Sequence, residues 1–246
     1  MSVDISVIIP TYNESGNIAL LLQKIETVLS GKSYEIIVVD DNSPDLTWEV
    51  AESVARDRPA VSVIRRMTDR GLSSAVITGM EIARGQALAV MDADLQHDET
   101  ILPAMAGAVL SGECDVAIGS RGAAGGSYGE WSRRRRFISF VAATMARIVL
   151  PMSGFFVVSR QVYQSTIASI NPRGFKILLE FIGRSRNIKI KEVGYTFRNR
   201  LHGETKLSGL VIKNYLVALY DLRFGKYVSP TFMLYAFVGL TGVFIN

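Results

Sequence analysis

The chain has 246 residues, 48% of them apolar, enough to bury a sizeable core, and its 27 Lys and Arg against 23 Asp and Glu leave a net charge of only +4. A surplus that small gives no ground for nucleic-acid binding. Cys114 is the only cysteine, which excludes an intrachain disulfide and a cysteine metal cluster and fits a reducing compartment.

Met1-Ser2-Val3-Asp4-Ile5 enters a strand-like pattern at once, without the basic segment and apolar stretch of a secretory signal, so the body of the protein is expected to be cytoplasmic. Val3 to Pro10 reads as a buried strand and Asn17 to Leu29 as a helix that Asn17 can cap. Tyr34 to Val39 is a second strand, Thr47 to Ala55 a helix, Val61 to Ile64 a third strand, Ser73 to Ala83 a helix and Ala87 to Met91 a fourth strand. Leu102 to Leu110 reads as a helix and Asp115 to Gly119 as a strand, followed by a small-residue loop from Gly122 to Gly129. Alternation at this spacing predicts an α/β fold with a mainly parallel sheet covered on both faces, and ligand sites at the carboxyl ends of its strands.

Further along, Arg133 to Arg136 form a basic run between Trp131 and Phe137, which suits an anionic membrane surface or a phosphate, or else a solvated loop. Phe137 to Leu150 and Leu210 to Arg223 each read as a core helix or as an interfacial helix lying on lipid. Val228 to Asn246 carries no charge and is expected to be the start of a transmembrane segment.

The strongest local signal is Met91-Asp92-Ala93-Asp94-Leu95-Gln96, directly after an apolar strand. Alternate side chains of an extended segment share a face, so Asp92 and Asp94 converge at the strand end. Two carboxylates and the Gln96 amide oxygen are hard donors suited to Mg²⁺ or Mn²⁺. At the first strand's end, Pro10 shapes the turn, and Tyr12 and Glu14 are placed to cradle a base or ribose, or to form an ordinary strand-to-helix turn. At the second strand's end, Asp40 and Asp41 are placed to accept hydrogen bonds from a nucleoside, with Ser43 as the expected cap of the next helix. Arg121 and the segment from Arg198 to Lys206 supply forks for phosphate oxygens, the latter reading equally as a solvated basic loop.

The strings VIIPTYNE, VVDDNSPD, RGLSSAVITGM, LAVMDADLQH, AIGSR, PMSGFF and RLHGETKL, in that order along the first ~210 residues, resemble those of family-2 glycosyltransferases with the GT-A fold, and within them the dolichyl or polyprenyl monophosphate mannose synthases. The resemblance implies a GT-A (Rossmann-like) catalytic domain over residues 1–209, an amphipathic interfacial helix and linker over 210–227, and the start of a membrane region over 228–246. It implies GDP-mannose as donor, a polyprenyl or dolichyl phosphate as acceptor, and a Mg²⁺ or Mn²⁺ ion bridging Asp94 and Gln96 to the diphosphate with Asp92 nearby. Pro10, Tyr12, Glu14, Val39 and Asp41 would hold the nucleoside with Ala93 beside it. Arg121, Arg200 and Lys206 would hold the donor and acceptor phosphates, with Asp94, Arg121 and Arg200 carrying the chemistry.

One departure stands out: relatives have a longer, acidic-ended stretch before the PMSGFF string, whereas here Ile148-Val149-Leu150 runs straight into Pro151. Either the acceptor loop is short or residues are missing there. The main alternative is a UDP-glucose enzyme of the same fold; the Asp40-Asp41 pair and the LAVMDADLQH and RLHGETKL strings favour the mannose branch. A processive polysaccharide synthase would carry a Gln-x-x-Arg-Trp string, absent here, and a dinucleotide-dependent dehydrogenase would carry Gly-x-Gly-x-x-Gly after the first strand. An ionised lipid phosphate needs no general base, so His97 and His202 are expected beside the site or at the surface. The reading is thus of a membrane-associated enzyme with its catalytic domain on the cytoplasmic side.

Overall fold

Seven consecutive buried residues, Ile5–Thr11, form β1, and their burial on both faces explains why the sequence shows a continuous apolar run there and no alternation. The computed structural model describes residues 3–68, 70–123, 153–170, 177–185, 187–196 and 198. Helix α1, Ser15–Val28, buries Ile18, Leu21, Leu22 and Ile25 on one stripe, and β2, Tyr34–Asp40, pairs in parallel with β1 from Ile5↔Tyr34 to Thr11↔Asp40. There follow α2 (Thr47–Ala55), β3 (Val61–Arg65), α3 (Leu72–Ile82) and β4 (Ala87–Val90). A 3₁₀ turn, Glu99–Ile101, leads into α4 (Leu102–Leu110), then β5 (Val116–Ser120), β6 (Phe156–Ser159), α5 (Arg160–Thr166), α6 (Ile177–Arg184) and β7 (Ile190–Gly194).

The seven strands lie in the order β3-β2-β1-β4-β6-β5-β7. All neighbouring pairs are parallel except those of β6, which runs antiparallel between β4 and β5. Val7 and Ile9 of β1 join one hydrophobic cluster with α1 and α4, while Ile8 joins the other with α3 and α6. Helices therefore cover both faces, and the polar strand-to-helix loops are collected at the carboxyl ends of β1, β2, β4 and β5.

The amino end of the sheet is locked by a network of its own. Glu35, at the start of β2, accepts from Ser6 Oγ (2.7 Å), the Arg84 backbone N–H (2.6 Å) and Arg84 Nε (2.8 Å). Gly85 N donates to Ser6 Oγ (2.8 Å), and the Arg160 guanidinium donates to the carbonyls of Ala83 and Gly85. Burial alone pushes the Glu35 carboxyl up, but hydrogen bonds from Arg84 and Ser6 outweigh it and hold the group below the ordinary glutamate range. A Cβ at Gly85 would stand 2.5 Å from Ser6 N, so this crossing admits only glycine.

Two predicted caps act differently. Asn17 lies inside the first turn of α1, with its Nδ2 donating to Glu14 Oε2 (2.7 Å), and α2 begins after Leu46 in left-handed backbone rather than at Ser43. Among the described residues no helix is long and apolar enough to cross a membrane. The segments 133–150, 210–227 and 228–246 fall outside the described residues.

Candidate active site

The loops after β1 and β2 are clipped together by side chains of the second loop. Pro10 pairs with Val39 in the sheet, so the two expected nucleoside contacts sit side by side at its carboxyl edge. Beyond them, three successive backbone N–H groups of the first loop are captured: Asn13 by Ser43 Oγ (3.0 Å), Glu14 by Thr47 Oγ1 (2.8 Å) and Ser15 by Asp45 Oδ2 (3.0 Å). Asp40 completes the clip, accepting from Thr11 Oγ1 (2.9 Å) and from Ser43 N (2.8 Å) and Oγ (2.6 Å). Burial opposes ionisation of Asp45, yet bonds from Thr47 and Ser15 hold its carboxyl below the ordinary range. Asp40, Ser43 and Asp45 of the VVDDNSPD string thus shape the loops; Tyr12 and Glu14 ride on them, half-buried, with the Arg70 guanidinium 5.5 Å from the Tyr12 ring centre.

Asp41 is the member of that string aimed away from the clip. Its Oδ1 accepts from Arg66 Nε (2.7 Å) and from Arg66 Nη2, and its Oδ2 from Gly71 N (2.8 Å). Arg66 also reaches Gly71 O and Ser74 Oγ (both 3.1 Å), fastening the start of α3. A carboxylate offers about four acceptor positions, so Asp41 is oriented by this pair with acceptor capacity left on Oδ2.

The expected metal ligands follow β4, but their convergence has a different cause from the strand pleat the sequence suggested. β4 ends at Val90, and the chain then turns through Leu95, a buried leucine in left-handed backbone (φ 60°). A non-glycine residue held there stores on the order of 1–3 kcal/mol, which the surrounding packing must offset. The turn is closed by Gln96 N donating to Asp94 Oδ1 (3.1 Å). Asp94 is 7% exposed, while the Asp92 side chain is 36% exposed and open to the outside. Ala93 is buried between them. Gln96 Nε2 donates to Arg198 O (3.3 Å), which fixes the amide whose Oε1 is the candidate metal donor. Two carboxylates of unequal exposure and an amide oxygen are a donor set that fits Mg²⁺ or Mn²⁺, hard ions that complete their shells with substrate phosphates and water. Among the described residues no three His, Cys, Asp or Glu side chains converge on one point.

Tyr195, just past β7, gathers this end of the sheet. Burial raises its phenol far above the ordinary tyrosine range; the Asp92, Asp94 and Asp98 carboxylates push the same way and the Arg121 guanidinium opposes them. Arg121 follows the last residue of β5 and acts on the Tyr195 phenol, and Tyr195 N donates to Ser120 O (3.2 Å) at the end of that strand. Three contributors were not singled out from sequence. Gly154 sits against the Asp92 carboxylate so closely that a Cβ would overlap its oxygens, which explains the glycine of PMSGFF. Tyr195 bonds His97, which is buried. Arg198, read only as the start of a basic segment, pairs with Asp98 (2.9 Å) and Glu99 (2.6 Å) and donates from its backbone to Gln96 O (2.9 Å), fastening Arg198 itself to the Asp-x-Asp turn. Glu99 is held below the ordinary glutamate range, against burial, by bonds from Lys24 and Arg198. Arg200, His202 and Lys206 lie outside the described residues.

A mainly parallel sheet whose carboxyl end joins two clipped strand-end loops to an Asp-x-Asp turn and an arginine is that of a GT-A glycosyltransferase. Solved structures agree on the fold: glucosyl-3-phosphoglycerate synthase from Mycobacterium tuberculosis, crystallised with Mn²⁺, UDP-glucose and phosphoglyceric acid, superposes with a TM-score of 0.64 at 18% identity, covering 89% of this chain and 79% of that one. A further mycobacterial protein superposes at 0.67 and 20% identity over 89% of this chain and 74% of its own. The family model for glycosyl transferase family 2 matches residues 6–181, and the chain belongs to that family. Among its relatives, a dolichol-phosphate mannosyltransferase of Pyrococcus furiosus is 42% identical over 98% of this chain and 70% of its own length. The proteins of that name from Saccharomyces cerevisiae and Mycosarcoma maydis are each 38% identical, over 96% and 89% of this chain and 92% and 80% of their lengths.

Proposed function

We propose that the chain transfers mannose, with inversion, from GDP-mannose to a dolichyl or polyprenyl phosphate at the cytoplasmic face of a membrane. The observation that carries this reading is the set of relatives at 38–42% identity over most of the chain, all dolichol-phosphate mannosyltransferases. Pro10, Tyr12, Glu14, Val39 and Asp41 receive the nucleoside, with Ala93 beside it. Asp92, Asp94 and Gln96 hold a Mg²⁺ or Mn²⁺ ion, which when bound neutralises charge on the departing diphosphate. Arg121, Arg200 and Lys206 hold the phosphates of donor and acceptor.

A lipid phosphate oxygen attacks the anomeric carbon as the bond from that carbon to the diphosphate oxygen breaks, and GDP leaves with the electron pair. The nucleophile is already ionised at neutral pH, so no side chain has to remove a proton, and the protein's work is positioning and charge stabilisation. In the domain plan, residues 1–209 perform the transfer, 210–227 lie on the lipid surface and 228–246 begin the membrane region.

Base choice tests the donor. Asp41, oriented by Arg66 and Gly71, presents an acceptor suited to the adjacent ring and exocyclic N–H groups of guanine. A wrong base leaves it unmatched at a cost of roughly 1–3 kcal/mol, so GDP is expected to bind about tenfold to a hundredfold tighter than UDP in calorimetry with Mg²⁺. Equal affinities, or tighter UDP, would replace mannose by the UDP-glucose alternative and leave the fold and family standing.

A further inference from the structure

Beside the Asp-x-Asp turn lies a hydrogen-bonded chain whose members are all provided by the protein. His97, 5% exposed, is wedged among aromatic rings, with centroids 5.5 Å from Phe155 and 5.8 Å from Tyr195. Its Nδ1 lies 2.7 Å from Tyr195 Oη and its Nε2 3.3 Å from Asp92 Oδ2. A carboxylate only accepts, so the proton on the Asp92 side belongs to Nε2. Nδ1 is then served by the Tyr195 hydroxyl, a phenol that its burial keeps protonated. Gly154 lies against the same oxygen, where a Cβ would stand 2.1 Å from Asp92 Oδ2. Asp92 is thus the more exposed carboxylate of the pair and yet is held by His97.

We propose that His97 and Tyr195 are positioning residues: the O–H of Tyr195 fixes the His97 ring, and His97 Nε2–H holds Asp92 in the orientation in which it binds the divalent ion. Groups that orient a ligand in this way typically change metal affinity by about 10–100-fold when removed. The proposal rests on the reading of Asp92, Asp94 and Gln96 as the metal site and adds the residues that set it.

Mn²⁺ binding to the full chain, followed by the loss of the free-ion electron paramagnetic resonance signal in the presence of GDP, tests both separately. His97→Phe keeps an aromatic ring but donates nothing, and is expected to weaken Mn²⁺ by about tenfold or more while leaving the thermal unfolding midpoint within a few degrees. His97→Gln, which can restore an N–H near the Nε2 position, is expected to recover most of the affinity. Tyr195→Phe removes one oxygen from a packed ring and is expected to lower affinity several-fold. In transfer assays the loss should shrink when Mn²⁺ is raised, a response that a general packing defect does not give. Wild-type affinity in both His97→Phe and Tyr195→Phe overturns the proposal and spares the metal site. A wild-type protein that binds no Mn²⁺ overturns the metal site and the proposal with it.

Discussion

Glu35 at the amino end of the sheet and Asp92 at its carboxyl end are both carboxylates held by neighbouring side chains, but they are treated in opposite ways. Both oxygens of Glu35 are filled by Ser6 and by the backbone and guanidinium of Arg84, and its side chain is only 9% exposed. Asp92 is gripped on one oxygen by His97 and pressed by Gly154, with a third of its side chain open. One end spends its charges on itself and holds the strands in register. The other keeps Asp92 oriented and partly exposed, on a turn that carries left-handed backbone at Leu95, as the loop before α2 does at Leu46. The difference teaches where to look for chemistry: in this molecule a buried or half-buried charge marks the site when its orientation is fixed by neighbours that do not cancel it.

The sharpest break between the two ends is expected from Asp94→Asn. Transfer should fall by about 10²–10³-fold, comparable to about 3–4 kcal/mol of lost transition-state stabilisation, with little change in the unfolding midpoint. Gly85→Ala should do the reverse. The collision with Ser6 N costs stability on the order of 3 kcal/mol, read as a lower denaturation midpoint, while the fraction that remains folded keeps its specific activity.

Glu35→Gln sharpens the contrast through pH. The folded carboxyl lies below its ordinary value of 4.5, so the unfolded chain takes up the proton first as pH falls, and the stabilisation is complete above that value and lost below it. The variant is expected to be about 1–2 kcal/mol less stable than wild type at pH 7, with the gap closing on acidification through the range below pH 4.5. A gap constant between pH 7 and pH 3.5 would mean that ionisation of Glu35 does not contribute. The smallest effect is expected at Leu46, left-handed at φ 62° and 48% exposed. Leu46→Asn should add about 0.5 kcal/mol, because asparagine tolerates this backbone and little burial is lost, and should leave transfer unchanged.

Much of this architecture was legible from sequence. β1 through β5 and their helices fell within a residue or two of expectation, Thr47–Ala55 and Leu102–Leu110 without any difference, because strands buried on both faces and amphipathic helices have strong patterns. The described elements from β6 to β7 were not read. β6 has only four residues and runs against its neighbours, and β7 is an edge strand, IKEVG, with two charged residues among its five. At the site, the candidate metal and nucleoside residues were chosen from strand-end position and from the motif strings. What held them was not, since Asp41 meets Arg66 across 25 positions, His97 meets Tyr195 across 98 and Gln96 meets Arg198 across 102. Local spacing carries no information about such pairs. Ser43 and Asn17 are a different case: both are cap-forming residue types, but each is claimed by a carboxylate three positions earlier, Asp40 and Glu14, in the loop.

The central claim is that the carboxyl end of the sheet is a metal-dependent site for mannose transfer to a lipid phosphate. A panel of nucleotide sugars offered with a short polyprenyl phosphate, with and without a chelator, tests it most directly. The expected result is mannosyl phosphate lipid from GDP-mannose alone, abolished by the chelator and restored by Mg²⁺ or Mn²⁺. Transfer of glucose from UDP-glucose in preference to mannose, or transfer indifferent to the chelator, would contradict it.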